Sequence, residues 1–594
     1  MKDFLKNVLA TVVGILIFIM VMGIIGAMSL VGMVAASSAT TDVKDNSVLV
    51  MNLNGLMSER NEEDPTAMLF GLGKGGVMGL DDVVNAIKKA KDNDKIKGIY
   101  IEAGRFASDA PATTLALRKA LLDFKKSGKW IVAYGDNYTQ NTYYLASVAD
   151  KIWLNPQGML DWHGMVSEGM YLKDAMEKFG VRMQVAKVGS YKSAPEMFTS
   201  NQMSEPNREQ ITAYLTGVWD NMLTDISNSR KISKDSLNAY ADRVITFEDP
   251  QNLIKYKFVD KLLYTDEIKG EVKKLLKIDE GKDINQVSIE QMQNVKSKGN
   301  NGEQIAVYYA YGDIVDEATA NLMSLNSHLI VGKDVSRDLE QLAADESVKA
   351  VVLRVNSGGG SAYASEQIWN AVKKLKAKKP IVVSMGGMAA SGGYYISCEA
   401  NWIVAEPTTL TGSIGIFGMF PDFSNLLTQK LGVKFDEVKT NKNSGFGTLS
   451  RPFTEDEMSY LNMYIERGYQ LFRKRVADGR KQSVDAIEKV AQGHVWLGKD
   501  AIKIKLVDEL GGLDEAVKKA AQLAKLDEYY TSPYPAKASI MEQLMNKTSN
   551  VSGNYLDAHL RNTLGAYYEP FMLMKTIGEQ NAIQARVPFY LNIK

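Results

Sequence analysis

The chain has 594 residues and carries 70 Lys and Arg against 70 Asp and Glu, so its formal net charge at pH 7 is zero. That balance gives no electrostatic support for nucleic-acid binding, and a chain of this length is expected to hold several domains. A single cysteine, Cys398, excludes an intramolecular disulfide and a cysteine-based zinc site, and the four histidines include no His-x-x-x-His pair.

At the N-terminus, Lys2 and Lys6 precede a run from Val8 to Ala36 that contains no charged residue. A membrane-spanning helix needs about 20 apolar residues, whereas the apolar part of a cleaved leader is only ~7–15 residues long. The run predicts a transmembrane helix, although Ala35-Ala36-Ser37-Ser38-Ala39 leaves cleavage open. The lysines in front favour a cytoplasmic N-terminus, with the body on the other side.

Next, Gly71-Leu-Gly-Lys-Gly-Gly76 has the spacing of a dinucleotide fingerprint, but it follows a polar stretch through Pro65 instead of a strand. It reads as a flexible loop. Leu80 to Asp92 then carries Val83, Val84 and Ile87 near helical spacing and leads into a Val/Ile-rich run. Val335 to Ala344 does the same with Val335, Leu339 and Leu342. Helices are also expected over Gln210 to Ile226 and Glu455 to Val476. Alternation of helices with short buried strands predicts an α/β fold with a largely parallel sheet.

The body repeats itself. Lys95-Ile-Lys-Gly-Ile-Tyr-Ile-Glu102 resembles Ser347-Val-Lys-Ala-Val-Val-Leu-Arg354, and Lys129-Trp-Ile-Val-Ala-Tyr134 resembles Lys379-Pro-Ile-Val-Val-Ser384. Tyr143-Tyr-Leu-Ala-Ser147 and Lys178-Phe-Gly-Val-Arg182 match Tyr394-Tyr-Ile-Ser397 and Lys430-Leu-Gly-Val-Lys434, all at offsets of 250 to 252 residues. The expected organisation is a cytoplasmic tip and anchor (1–42), a first repeat (43–277), a polar linker (278–303), a second repeat (304–532) and a C-terminal extension (533–594) with no recognisable chemistry.

Two glycine-rich turns in the second repeat bracket one serine: Asn356-Ser-Gly-Gly-Gly-Ser361 and Ser384-Met-Gly-Gly-Met-Ala-Ala-Ser391-Gly-Gly. An acyl-transfer nucleophile needs an unobstructed approach and backbone N–H groups aimed at the developing oxyanion. There is no Gly-x-Ser-x-Gly elbow. The base for Ser391 is open at this point between a histidine, with His494 the nearest downstream, and a desolvated lysine.

The duplication, the segments Arg354-Val-Asn-Ser-Gly-Gly-Gly-Ser361, Met388-Ala-Ala-Ser-Gly-Gly-Tyr394 and Thr411-Gly-Ser-Ile-Gly415, and the N-terminal run together resemble the signal peptide peptidase A (protease IV) family in its long two-repeat form. The resemblance spans the chain to about residue 530. It implies two tandem Clp-protease/crotonase-like superhelical ββα domains after the transmembrane helix. It also implies a serine endopeptidase with Ser391 as nucleophile and Lys192, in Ser190-Tyr-Lys-Ser-Ala194, as base. By the same resemblance Gly359 and Gly392 supply the oxyanion hole, and Ser413 orients the lysine. Cleaved signal peptides are the implied substrates and a homotetramer the implied assembly, in a bacterial inner membrane with the body on the periplasmic side. Neither a metal nor an organic cofactor is implied.

The repeat comparison points the same way. Gln140 stands where Ser391 stands, Ala107 and Ser108 replace Gly359 and Gly360, and Trp162 replaces Ser413. Ser444 stands opposite Lys192, with Lys442 a rival base two residues away. Gly358 departs from the family's usual proline, which loosens the turn. A crotonase-fold acyl-thioester enzyme and a non-catalytic scaffold for apolar segments are the alternatives, since fold does not fix function.

Overall fold

The structure, a computed structural model, describes residues 40–61, 77–296, 301–317, 328–537 and 583–587, with scattered helical positions between 6 and 28. Most of the apolar run 8–36 and all of the cluster 71–76 lie outside the described residues. Among the described residues, no helix is long and apolar enough to cross a membrane.

Each repeat is built on its own sheet. The first has seven strands, in the order Val77–Gly79, Ser47–Ser58, Ile96–Ser108, Trp130–Tyr138, Lys151–Leu160 and Lys261–Leu262, with Asn285–Ser288 also on Ser47–Ser58. Every pairing is parallel. Parallel strands are covered on both faces and therefore favour continuous apolar runs. Ile131, Val132 and Ala133 form such a run, fully buried. Helices Leu80–Asp92 and Pro111–Lys125 pack their apolar sides on one face, while Ile268–Leu276 covers Val48, Val132 and Trp153 on the other.

The second sheet has eight strands. Its main order is Tyr529–Tyr534, Glu303–Tyr311, Val348–Ser357, Ile381–Ala390, Leu410–Gly412 and Val495–Leu497, with Trp402–Ala405 and Glu509–Leu510 branching from it. Only the pairing of Leu410–Gly412 with Val495–Leu497 is antiparallel. Strand Ile381–Ala390 changes neighbour along its length. Its first half pairs with Trp402–Ala405 and its last three residues with Leu410–Gly412. That switch delivers Ser391 beside Gly412.

A third sheet of six strands draws on both repeats. Arg182–Lys187 from the first repeat runs antiparallel to Phe417–Asp422 from the second. Polar contacts reinforce the junction, one of them buried. Arg354 donates to Glu59 at 2.6 and 3.1 Å, Asn356 donates to Asp109 at 2.9 Å, and Lys119 pairs with Glu406.

Two segments differ from the sequence expectation. The stretch 278–303, expected to be a plain linker, contributes strand Asn285–Ser288 and helix Ile289–Gln293 to the first repeat. Val287 and Met292 are buried there, but two apolar anchors in a polar stretch are too few to set up a visible period. The boundary at residue 532 also shifts, because strand Tyr529–Tyr534 pairs with Glu303–Tyr311. Beyond it, the extension supplies strand Ile583–Arg586 to the third sheet.

Candidate active site

Strand Ile381–Ala390 ends at Ser391, whose backbone sits at φ 56° and ψ −116° before helix Gly392–Ser397 begins. A side chain at positive φ costs on the order of 1 kcal/mol or more and persists only where the surroundings hold it. Here the Ser391 N–H donates to Gly412 O at 2.8 Å, and Ser391 O accepts from Tyr395 N–H at 2.8 Å. Glycine at 392 follows from crowding, since a Cβ there would lie 2.7 Å from Ser365 Oγ and 3.0 Å from Gly359 Cα.

Lys192 reaches the serine from the first repeat, just past strand Arg182–Lys187. Its Nζ lies 2.8 Å from Ser391 Oγ, 2.9 Å from Ser413 Oγ and 3.1 Å from Ser413 O. Lys192, Ser391 and Ser413 have no exposed surface. Burial penalises the ammonium form and holds the Lys192 pKa well below the ordinary lysine range. The stem threads between two glycines. A Cβ on Gly493 would meet Lys192 Cβ at 2.7 Å, and one on Gly415 would meet Lys192 Cδ at 3.3 Å. Ser413, itself at φ 52°, is held by its N–H donating to His494 O at 2.7 Å.

His494 therefore contributes a carbonyl here. Its ring stacks on Trp496 at a centroid distance of 4.1 Å and meets Tyr191 at a tilt at 4.3 Å, and burial lowers its pKa. Lys442 is exposed and pairs with Asp456 at 2.7 Å. Gln140, in the place of Ser391, spends its amide on the backbone of His163 and Gly164. Trp162, in the place of Ser413, is fully buried and donates to Leu237 O at 2.9 Å. The first repeat thus holds packing groups where the second holds the two serines that contact Lys192.

In the glycine turn, the Gly359 N–H donates to Ser357 Oγ at 3.1 Å, while Gly392, first in its helix, has no acceptor one turn back in that helix. The sequence reading missed Ser357, Gly415 and Gly493. It also missed Ile583–Arg586, which runs alongside Gly359–Ser361. A cavity of about 470 Å³ opens beside the site, with Met165, Phe198, Tyr214, Met222, Met388 and Met419 in its wall. Among the described residues no cluster of His, Cys, Asp or Glu is fit to hold a metal ion.

A serine on a strained strand-to-helix turn, with a buried amine on its hydroxyl, is the working arrangement of a serine hydrolase. The model of Peptidase family S49 matches residues 123–279 and 373–527, one stretch in each repeat, and that of Clp protease matches 301–403. The chain belongs to Peptidase family S49 and is a serine peptidase. It is 38% identical to "Protease 4" of Salmonella typhi, over 79% of this chain and 75% of that protein. Identity to "Serine protease SPPA, chloroplastic" of Arabidopsis thaliana is 30%, over 85% and 72%. Identity to "Putative signal peptide peptidase SppA" of Enterococcus faecium is 31%, over 39% and 67%.

The glycine slot gives a direct expectation. Gly493 sits at φ 81° against the Lys192 backbone, so Gly493→Ala will displace Lys192. A misplacement of about 1 Å lowers turnover roughly 100-fold. Initial rates of peptide hydrolysis will show that loss in kcat, and an unchanged kcat would mean the slot has room to spare.

Proposed function

We propose that this chain is a membrane-anchored serine endopeptidase that uses Ser391 and Lys192 as a dyad to degrade cleaved signal peptides and similar apolar peptides. The observation that carries the reading is the 2.8 Å contact between a fully buried lysine amine and the serine hydroxyl. Neutral Lys192 accepts the Ser391 proton as Oγ attacks the peptide carbonyl, then protonates the leaving amine. The Gly392 N–H stabilises the oxyanion, joined by the Gly359 N–H as it leaves Ser357 Oγ. Ser413 keeps the amine aimed. The methionine and aromatic side chains in one part of the adjacent cavity's mixed wall suit apolar side chains, and the uncharged run 8–36 serves as anchor. The reading places the body on the periplasmic side of a bacterial inner membrane, working as a homotetramer.

The reading is tested by the pH dependence of kcat/KM on an apolar peptide ester, together with labelling by a serine-directed acylating reagent. Below its pKa, Lys192 is an ammonium and cannot accept a proton. The rate will therefore climb about tenfold per pH unit and level off once the amine is neutral. Because burial depresses that pKa, the plateau will begin well below the ordinary lysine value of about 10.4. A rate that stays flat from mildly acidic to alkaline pH, or a label on a residue other than Ser391, would sink the assignment.

A further inference from the structure

Gln210 lies on helix Glu205–Arg230 of the first repeat and is buried. Packing of that helix would be met there by a leucine, as it is by the buried neighbours Ile211 and Tyr214. A buried amide must instead find partners for its two donors and its oxygen, or lose their hydration uncompensated. Gln210 finds all three. Its Nε2 donates to Tyr191 O at 3.1 Å and to Asn207 Oδ1 at 3.2 Å, and its Oε1 accepts from the Val495 N–H at 3.2 Å. Asn207 is also buried and is held in turn, donating from Nδ2 to Glu196 Oε2 at 3.0 Å. The amide therefore fits in one orientation, since reversing it would set its oxygen against Tyr191 O and a donor against the Val495 N–H.

The two backbones it joins belong to different repeats, and each leads to the site. Tyr191 precedes Lys192, and its N–H donates to Gln492 O at 3.0 Å. The lysine's segment thus meets the second repeat at Gln492 directly and at Val495 through Gln210. Between those two ties sit Gly493, against the Lys192 backbone, and His494, whose carbonyl holds the Ser413 N–H. Val495 pairs with Gly412, whose carbonyl holds the Ser391 N–H. Among the described residues Gln210 makes no hydrogen bond to Lys192, Ser391 or Ser413, so its effect on them passes through the main chain.

We propose that Gln210 is the positioning residue for the base: by tying the lysine's backbone to the strand beside Gly412, it sets the reach of Lys192 to Ser391 and Ser413. This rests on the Lys192 and Ser391 roles given above. A lysine amine rides on a flexible four-carbon stem, so its aim depends on where the stem is rooted. Without the Gln210 amide the Val495 N–H loses a buried partner, and the Tyr191–Gln492 bond is the backbone tie that remains. The root of the stem can then drift relative to Ser391, and the 2.8 Å contact opens.

The test is hydrolysis of an apolar peptide ester by the full chain in detergent, with kcat and KM measured separately across pH for the parent, Gln210→Met and Gln210→Asn. Methionine fills the space without a polar group, and asparagine keeps the amide but is one methylene too short to span both backbones. Circular dichroism at the assay temperature reports the folded fraction. Both variants are expected to lose roughly 100-fold in kcat, the effect of about 1 Å of misplacement, with KM unchanged because the substrate's own contacts are untouched. The pH at which kcat/KM levels off is expected to rise, since an amine moved off its dry seat is charged more easily. Folded variants with the parent's kcat and plateau overturn the proposal and leave the dyad standing. A fall in kcat with the plateau unmoved, or a loss confined to KM or to folded protein, overturns it as well. A parent whose rate does not vary with pH overturns the dyad reading and this proposal with it.

Discussion

Lys192→Met will abolish peptide turnover while the protein stays folded. Methionine matches the lysine stem in length and is unbranched, so it will fit between Gly415 and Gly493 where the lysine now lies. The variant loses three contacts, with Ser391 Oγ, Ser413 Oγ and Ser413 O. Leaving buried acceptors unpaired costs about 1–3 kcal/mol, but an amine that burial disfavours is removed at the same time. Thermal unfolding will therefore change little. The chemistry will not survive, because general acid–base catalysis contributes about 10²–10⁴-fold and no other titratable side chain donates to or accepts from Ser391 Oγ among the contacts described. At the upper end the loss corresponds to about 5.5 kcal/mol of transition-state stabilisation. Groups that act as one unit are not additive. Lys192→Met combined with Ser391→Ala will thus be scarcely slower than either variant alone. A Lys192→Met enzyme within about tenfold of the parent, or a fully additive double variant, would show that the proton goes elsewhere.

Arg354→Met will destabilise the protein by about 3–5 kcal/mol, the usual penalty for stranding one member of a buried ion pair. Arg354 and Glu59 are both buried, and the guanidinium also donates to Ser384 Oγ at 2.9 Å and to Met385 O at 3.1 Å. Truncation leaves the Glu59 carboxylate without this partner at the junction of the two repeats. Urea unfolding will show the transition midpoint falling. Adding Glu59→Gln will restore much of the loss, since the destabilisation comes from the uncompensated charge and not from any large net worth of the pair. A single variant as stable as the parent would mean that water reaches Glu59.

The duplicated α/β body was legible because long parallel strands and their covering helices carry strong local patterns, as at Leu80–Asp92 and Ile131–Ala133. Ser391 stood out because its glycine neighbours are needed for close backbone approach. Lys192 was different. No property of its neighbours distinguishes it from a surface lysine, and only resemblance to a family singled it out. The third sheet was invisible for a further reason. Its strands are three to six residues long, and most take a partner far away in sequence, as Arg182–Lys187 does with Phe417–Asp422. Short strands of that kind leave no period to read. Gly493 and Gly415 owe their identity to the lysine stem between them, a contact that exists only after folding.

The strand pair that carries Lys192 to Ser391 also sets when the protein can first become dangerous to its neighbours. The two residues are 199 positions apart in the chain, and contacts of such long range close late because their loop entropy must be met before they give anything back. The first repeat emerges from the ribosome with an amine and no nucleophile. The second, on its own, has Ser391 without the lysine proposed as its base. On the proposed dyad, proteolytic competence is withheld from nascent and misdocked chains alike until the two repeats join.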